Sequence, residues 1–175
     1  MKYTLPTMDS WIQEEFESIR DSAFETPTLR MNRKNIATLD WIPTRCEVLQ
    51  LQENRLKRLP ELSNMVTKLN VSKNQLECLP ELLPQRLLYL NVSDNPDLRC
   101  LPELPEGLEV LIASNCGLTK CPALPNSLKY LYLQNNYLKQ LPALPTELDT
   151  LYIFNNCIED FSGLPKTLTK CLMNE

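Results

Sequence analysis

Seven cysteines and no histidine set the terms for any chemistry this 175-residue chain could perform. A cysteine nucleophile works beside a base, and histidine is the commonest one. Metal binding asks for closely spaced ligands, and the sequence holds no Cys-x-x-Cys pair. Phosphate-cradling loops need glycine, and the three glycines here form none. Paired acids such as Glu14-Glu15 and Glu159-Asp160 read as solvated faces or helix-end charges. The chain is therefore expected not to be an enzyme, with no catalytic residues, no metal and no cofactor.

What the sequence does carry is a unit of about twenty residues, Leu-x-x-Leu-x-Leu-x-x-Asn-x-Leu-x-x-Leu-Pro-x-Leu-Pro-x-x. Its clearest copies start at Leu128 (LKYLYLQNNYLKQLPALPTE) and Leu148 (LDTLYIFNNCIEDFSGLPKT). Numbered from its first leucine, the unit starts at Thr26, Cys46, Val66, Leu87, Leu108, Leu128 and Leu148, with a partial unit from Leu168. Two units carry one extra residue, around Leu82-Leu83 and within Asn95-Pro96-Asp97-Leu98. A fixed period in this range means a solenoid, each turn packing on its neighbours.

Each part of the unit has a physical reading. Positions 4 and 6 are apolar in nearly every copy, as in Leu131 and Leu133. That alternation is a short strand with one buried face, and strands recurring at a fixed period lie side by side and parallel. Position 9 holds Asn54, Asn74, Asn95, Cys116, Asn136 and Asn156. A side-chain amide there can satisfy backbone groups of adjacent turns, so these residues are expected to form a structural ladder, with Cys116 as a tolerated substitute. In the first unit Lys34 takes this place. Eleven of the 14 prolines fall at positions 15 or 18, which suits an extended polyproline II back rather than a helix.

The expected fold is a leucine-rich repeat solenoid: a short, curved, right-handed superhelix with a concave parallel sheet and convex extended segments. The repeats cover residues 26–175. Residues 1–25 are expected to form an α-helical cap. Asp9 or Ser10 can begin a helix running to about Phe24, with Trp11, Ile12, Phe16, Ile19 and Ala23 broadly on one face.

The Leu-Pro-x-Leu-Pro unit resembles the bacterial, or LPX, subclass of leucine-rich repeats. That subclass occurs in type III secreted effectors such as Yersinia outer protein M, and in the secreted ligases of the invasion plasmid antigen H and Salmonella kind. The resemblance implies a non-enzymatic module that binds a host protein, acting in the host cytoplasm or nucleus after secretion. An alternative is the substrate-recognition part of a truncated or split E3 ubiquitin ligase, whose catalytic domain is not expected in this chain. A second alternative is a housekeeping scaffold of the bacterial cytoplasm. Family members also carry a helical N-terminal cap, usually a hairpin; one helix is legible here.

Other features narrow the partner. A net charge of −4 disfavours nucleic acid, which needs clustered basic residues. No apolar run approaches a membrane span, and the N-terminus lacks a Sec-type apolar core. Cys46, Cys116 and Cys171 occupy core positions and Cys121 replaces a leucine, so the thiols are expected to be structural and reduced. Cys78 and Cys100 precede Leu-Pro in adjacent units and are expected to be neighbours, able to cross-link on oxidation. The partial unit at Leu168, Cys171 and Met173 leaves a strand to be covered, which makes a homo-oligomer through that end one expectation.

Positions 3 and 5 alternate with the buried leucines and should face outward on the concave sheet. They are polar in the first units and aromatic later. Tyr89, Ile112, Tyr130, Tyr132, Tyr152 and Phe154 (the last at position 7) are therefore expected to form one continuous partner-binding patch.

Overall fold

The structure is a computed structural model that describes residues 27–173. The expected helical cap over residues 1–25 lies outside the described residues, and no helix occurs among those described. Eight three-residue strands follow one another: β1 (Thr28–Arg30), β2 (Val48–Gln50), β3 (Lys68–Asn70), β4 (Tyr89–Asn91), β5 (Val110–Ile112), β6 (Tyr130–Tyr132), β7 (Thr150–Tyr152) and β8 (Lys170–Leu172). They form one parallel sheet in chain order. Register is constant from end to end: position 3 pairs with 3, 4 with 4 and 5 with 5 in every neighbouring pair.

The core runs as a spine inside this coil. Position 4 supplies Leu29, Leu49, Leu69, Leu90, Leu111, Leu131 and Leu151, all fully buried. Position 6 adds Met31, Leu51, Val71, Val92, Ala113, Leu133 and Ile153, and position 11 adds leucine or isoleucine from the opposite side. No turn could bury these residues alone, so each depends on the next.

The backbone hydrogen bonds explain why the back of the unit is not helical. Bonds between turns run from the strand edge as far as position 12, for example Glu77 N–H to the Lys57 carbonyl at 3.1 Å. Beyond it the Leu-Pro-x-Leu segments pack by side chain. The second proline has a different job from the first. Its carbonyl accepts the N–H of position 1 three residues on, as in Leu108 to Pro105 at 3.0 Å and Leu148 to Pro145 at 3.2 Å. It thus begins the tight turn that feeds the next strand.

Both extra residues are absorbed outside the core. Leu82 projects into solvent at 83% exposure, and Leu83 takes the core place at 4%. In the fourth unit Pro96 and Asp97 bulge outward and Leu98 re-enters the core at 0%. The bulge lies against Gly117, where a Cβ would come within 2.8 Å of the Pro96 carbonyl oxygen. A side chain at 117 would displace the bulge.

Candidate functional site

Two ladders of side chains hold the inward turn after each strand and so fix the rim of the concave face. The first is at position 9. Asn136 donates to the carbonyls of Ala113 at 2.8 Å and Leu133 at 2.9 Å, and its oxygen accepts the Leu118 N–H at 3.1 Å. Asn54, Asn74, Asn95 and Asn156 repeat this three-way bond with their own neighbours. In the first turn Lys34 stands at this position, and its backbone N–H donates to the Asn54 side-chain oxygen at 3.0 Å. Cys116 donates its thiol to the Val92 carbonyl at 3.3 Å.

The second ladder, at position 8, was not foreseen from the sequence. Arg33, Glu53, Lys73, Asp94, Asn115, Asn135 and Asn155 all adopt positive φ, between 54° and 60°. This left-handed conformation is costly for most residues and least so for Asn and Asp. Their side chains join across turns. Asn115 donates to Asp94 at 2.8 Å, Asn135 to Asn115 at 2.6 Å, and Asn155 to Asn135 at 2.7 Å. Toward the other end Arg33 grips Glu53 through two bonds, at 2.8 and 3.0 Å, and Lys73 approaches Glu53 at 3.9 Å. The hydrogen bond from Arg33 holds the Glu53 carboxyl below its ordinary range. The consecutive Asn-Asn pairs at 135–136 and 155–156 were the available signal.

Between the rims lies the concave face. The register places Ile112, Tyr132 and Tyr152 in one row and Tyr89, Val110 and Tyr130 in the next. The rings of Tyr132 and Tyr152 meet edge to face, with centroids 5.0 Å apart and planes at 78°. That is a favourable aromatic geometry. Tyr130 is 39% exposed, while Tyr89, Ile112, Tyr132, Tyr152 and Phe154 are half-buried. Burial, and then the neighbouring Tyr152, Tyr130 and Asp149, push the Tyr132 hydroxyl above its ordinary pKa. It is a hydrogen-bond donor throughout the neutral range. Tyr89 sits nearest the polar half, its hydroxyl 3.5 Å from Asn91 Nδ2.

The polar half is less open than its residue types suggest. Asn70 accepts from the N–H and hydroxyl of Ser72 at 3.1 and 2.8 Å, and Asn91 does the same with Ser93 at 3.0 and 2.8 Å. These amides close the strand ends. The repeated Asn-Val-Ser at 70–72 and 91–93 carried that information.

All seven cysteines are free. Burial raises the Cys46 and Cys116 thiols to about 11 and Cys121 to about 12. Cys78, Cys100 and Cys157 are exposed. No group of His, Cys, Asp or Glu among the described residues is arranged to hold a metal ion. No helix among them is long and apolar enough to cross a membrane.

The Leucine Rich Repeat family model matches residues 127–148, about one turn of the coil. No match is found among curated proteins. Among solved structures, the leucine-rich repeat domain of a Shigella effector superposes with a TM-score of 0.81 at 28% identity, covering 94% of this chain and 76% of that one. YopM, a leucine-rich effector protein from Yersinia pestis, superposes with a TM-score of 0.77 at 29% identity over 94% of this chain; the chain spans 54% of YopM. The chain is thus a leucine-rich repeat protein that resembles, in repeat sequence and in fold, the leucine-rich effectors of Shigella and Yersinia.

Proposed function

We propose that this chain is a protein-interaction module of a secreted bacterial effector and that it binds a host protein through the later turns of its concave face. One observation carries the reading: Tyr132 and Tyr152 pack edge to face, ring centroids 5.0 Å apart, on a face that the core does not use. Ile112, Tyr130 and Phe154 extend the pair. Aromatic side chains held rigid lose little entropy when a partner docks, and tyrosine is enriched among residues that dominate binding energy. The likeness to effectors from Shigella and Yersinia supports type III secretion and action inside a host cell.

The test is affinity capture from host-cell lysate with the full chain beside Tyr132→Ser and Tyr152→Ser variants. A partner retained by the parent and lost from both variants, with their melting transitions intact, supports the reading. A partner held equally by all three, and released only by changes on the convex proline face, would overturn it.

A further inference from the structure

We propose that the ligand of the concave face is an acidic polypeptide segment, with its acidic residues on turns one to three and its aromatic or aliphatic residues on turns five to seven. The inference deepens the proposed function and rests on the same face.

The chain has 22 acidic residues and a net charge of −4. None of those acids stands at position 3, 5 or 7 of any described turn. The cations on the sheet are Arg30, Lys68 and Lys170, all exposed. Strand propensity does not account for this. Asn and Lys are disfavoured in strands as Asp and Glu are, yet the sheet carries Asn70, Asn91, Lys68 and Lys170. What has been excluded from the face is negative charge.

The acids flanking the face are largely occupied. Glu109 meets Lys129 at 3.4 Å, and the two oxygens of Asp149 accept the hydroxyls of Thr150 at 2.9 Å and Thr169 at 2.6 Å. Glu53 is held by Arg33, and Asp94 accepts from Asn115. Glu47 is the fifth. An approaching anion therefore meets exposed ammonium and guanidinium groups and phenol donors, while two of the five flanking carboxylates, Glu53 and Glu109, are paired with cations.

Spacing sets the ligand's size and class. Strands about 4.8 Å apart put β1 and β7 about 29 Å apart. That is a reach of about nine extended residues or about twenty helical ones. Arg30 and Lys68 within this length, with Lys170 one strand beyond it, match a few carboxylates along a segment. They are too sparse for a nucleic-acid strand, which needs many phosphate contacts to bind a chain of negative charge. The edge-to-face tyrosines meanwhile offer apolar area that carboxylates leave unused.

The experiment is display selection of random 20-residue peptides on the immobilised full chain, followed by affinity measurement on the enriched peptides. The expected winners carry net negative charge and at least one aromatic or large aliphatic residue. Their binding should fall at least ten-fold for an Arg30→Glu/Lys68→Glu double variant and weaken with added salt. Neutral or basic winners, or no enrichment at all, overturn the proposal. So does tighter binding of a fluorescent single-stranded oligonucleotide than of the winning peptides. Tyr132→Ser separates the two readings. Uncharged winners that still require Tyr132 leave the binding face in place and remove only the acidic ligand. Winners indifferent to Tyr132 remove the face itself.

Discussion

The N–H of Leu98 donates to the carbonyl of Asn95 at 3.0 Å, and that bond explains Cys116. In the neighbouring turns the equivalent N–H, such as that of Leu76, Leu118 or Leu138, needs the side-chain oxygen of an asparagine one turn on. The bulge at Pro96-Asp97 turns Leu98 back on Asn95 instead. The next turn then has no acceptor to supply, and a thiol donor suffices.

The ladder is therefore expected to be unequal in energy. Asn136→Ala strands the buried Leu118 N–H and the Ala113 carbonyl, while Leu133 keeps its bond from Asn156, and should cost about 2 kcal/mol. Cys116→Ala loses one weak bond and a little volume and should cost about 1 kcal/mol. Urea unfolding of both variants checks the order; equal costs would mean the bulge does not relieve position 116.

The left-handed position 8 predicts a stabilising change. Lys73 holds a φ of 54° and makes only a long contact to Glu53. Lys73→Asn should raise stability by about 0.5–1 kcal/mol, because Asn tolerates this conformation. Asn135→Val should cost about 1–2 kcal/mol or more, from strain and the lost bonds to its neighbours. Thermal melts give both signs.

The face and the core should separate by mutation. Leu131 is fully buried, and Leu131→Ala should cost about 2–5 kcal/mol. Tyr132→Ser removes the edge-to-face pair from a half-buried site and should cost about 1 kcal/mol. Binding to a captured partner should drop by more than about 1 kcal/mol for Tyr132→Ser. Equilibrium unfolding and titration on the same preparations distinguish the effects.

Thiol reactivity should follow burial. At pH 8 Cys78, Cys100 and Cys157 should react quickly with a small alkylating reagent, the half-buried Cys121 and Cys171 more slowly, while Cys46 and Cys116 stay protected until the chain unfolds. Intact-mass counting should show three fast additions. The raised thiols also carry a pH dependence. Above the ordinary thiol value of 9.0 the unfolded chain loses protons that the folded chain keeps, up to about 11 for Cys46. The thiols' contribution to stability should be constant below pH 9, and stability should fall as pH rises from 9 toward 11. A midpoint unchanged across that window would argue against protonated buried thiols.

Much of this protein follows from its sequence by periodicity alone. Leucines at positions 4 and 6 and prolines at 15 and 18, repeated every twenty or twenty-one residues, point to one arrangement in which the position 4 and 6 side chains are buried together. That is a parallel coil with an extended, non-helical back. The outward placement of Tyr130, Tyr132 and Tyr152 follows from the same alternation. The tertiary structure decided what depends on contacts between turns. The Asn115-Asn135-Asn155 chain exists only because stacking brings residues twenty apart within hydrogen-bond distance. Asn70 and Asn91 look like free amides in the sequence, yet Ser72 and Ser93 occupy them. Cys116 looks like a defect until the bulge one turn earlier shows that nothing there needs an asparagine. A one-dimensional pattern specifies which face each residue takes; whether its polar atoms remain available is set by the turn stacked beside it.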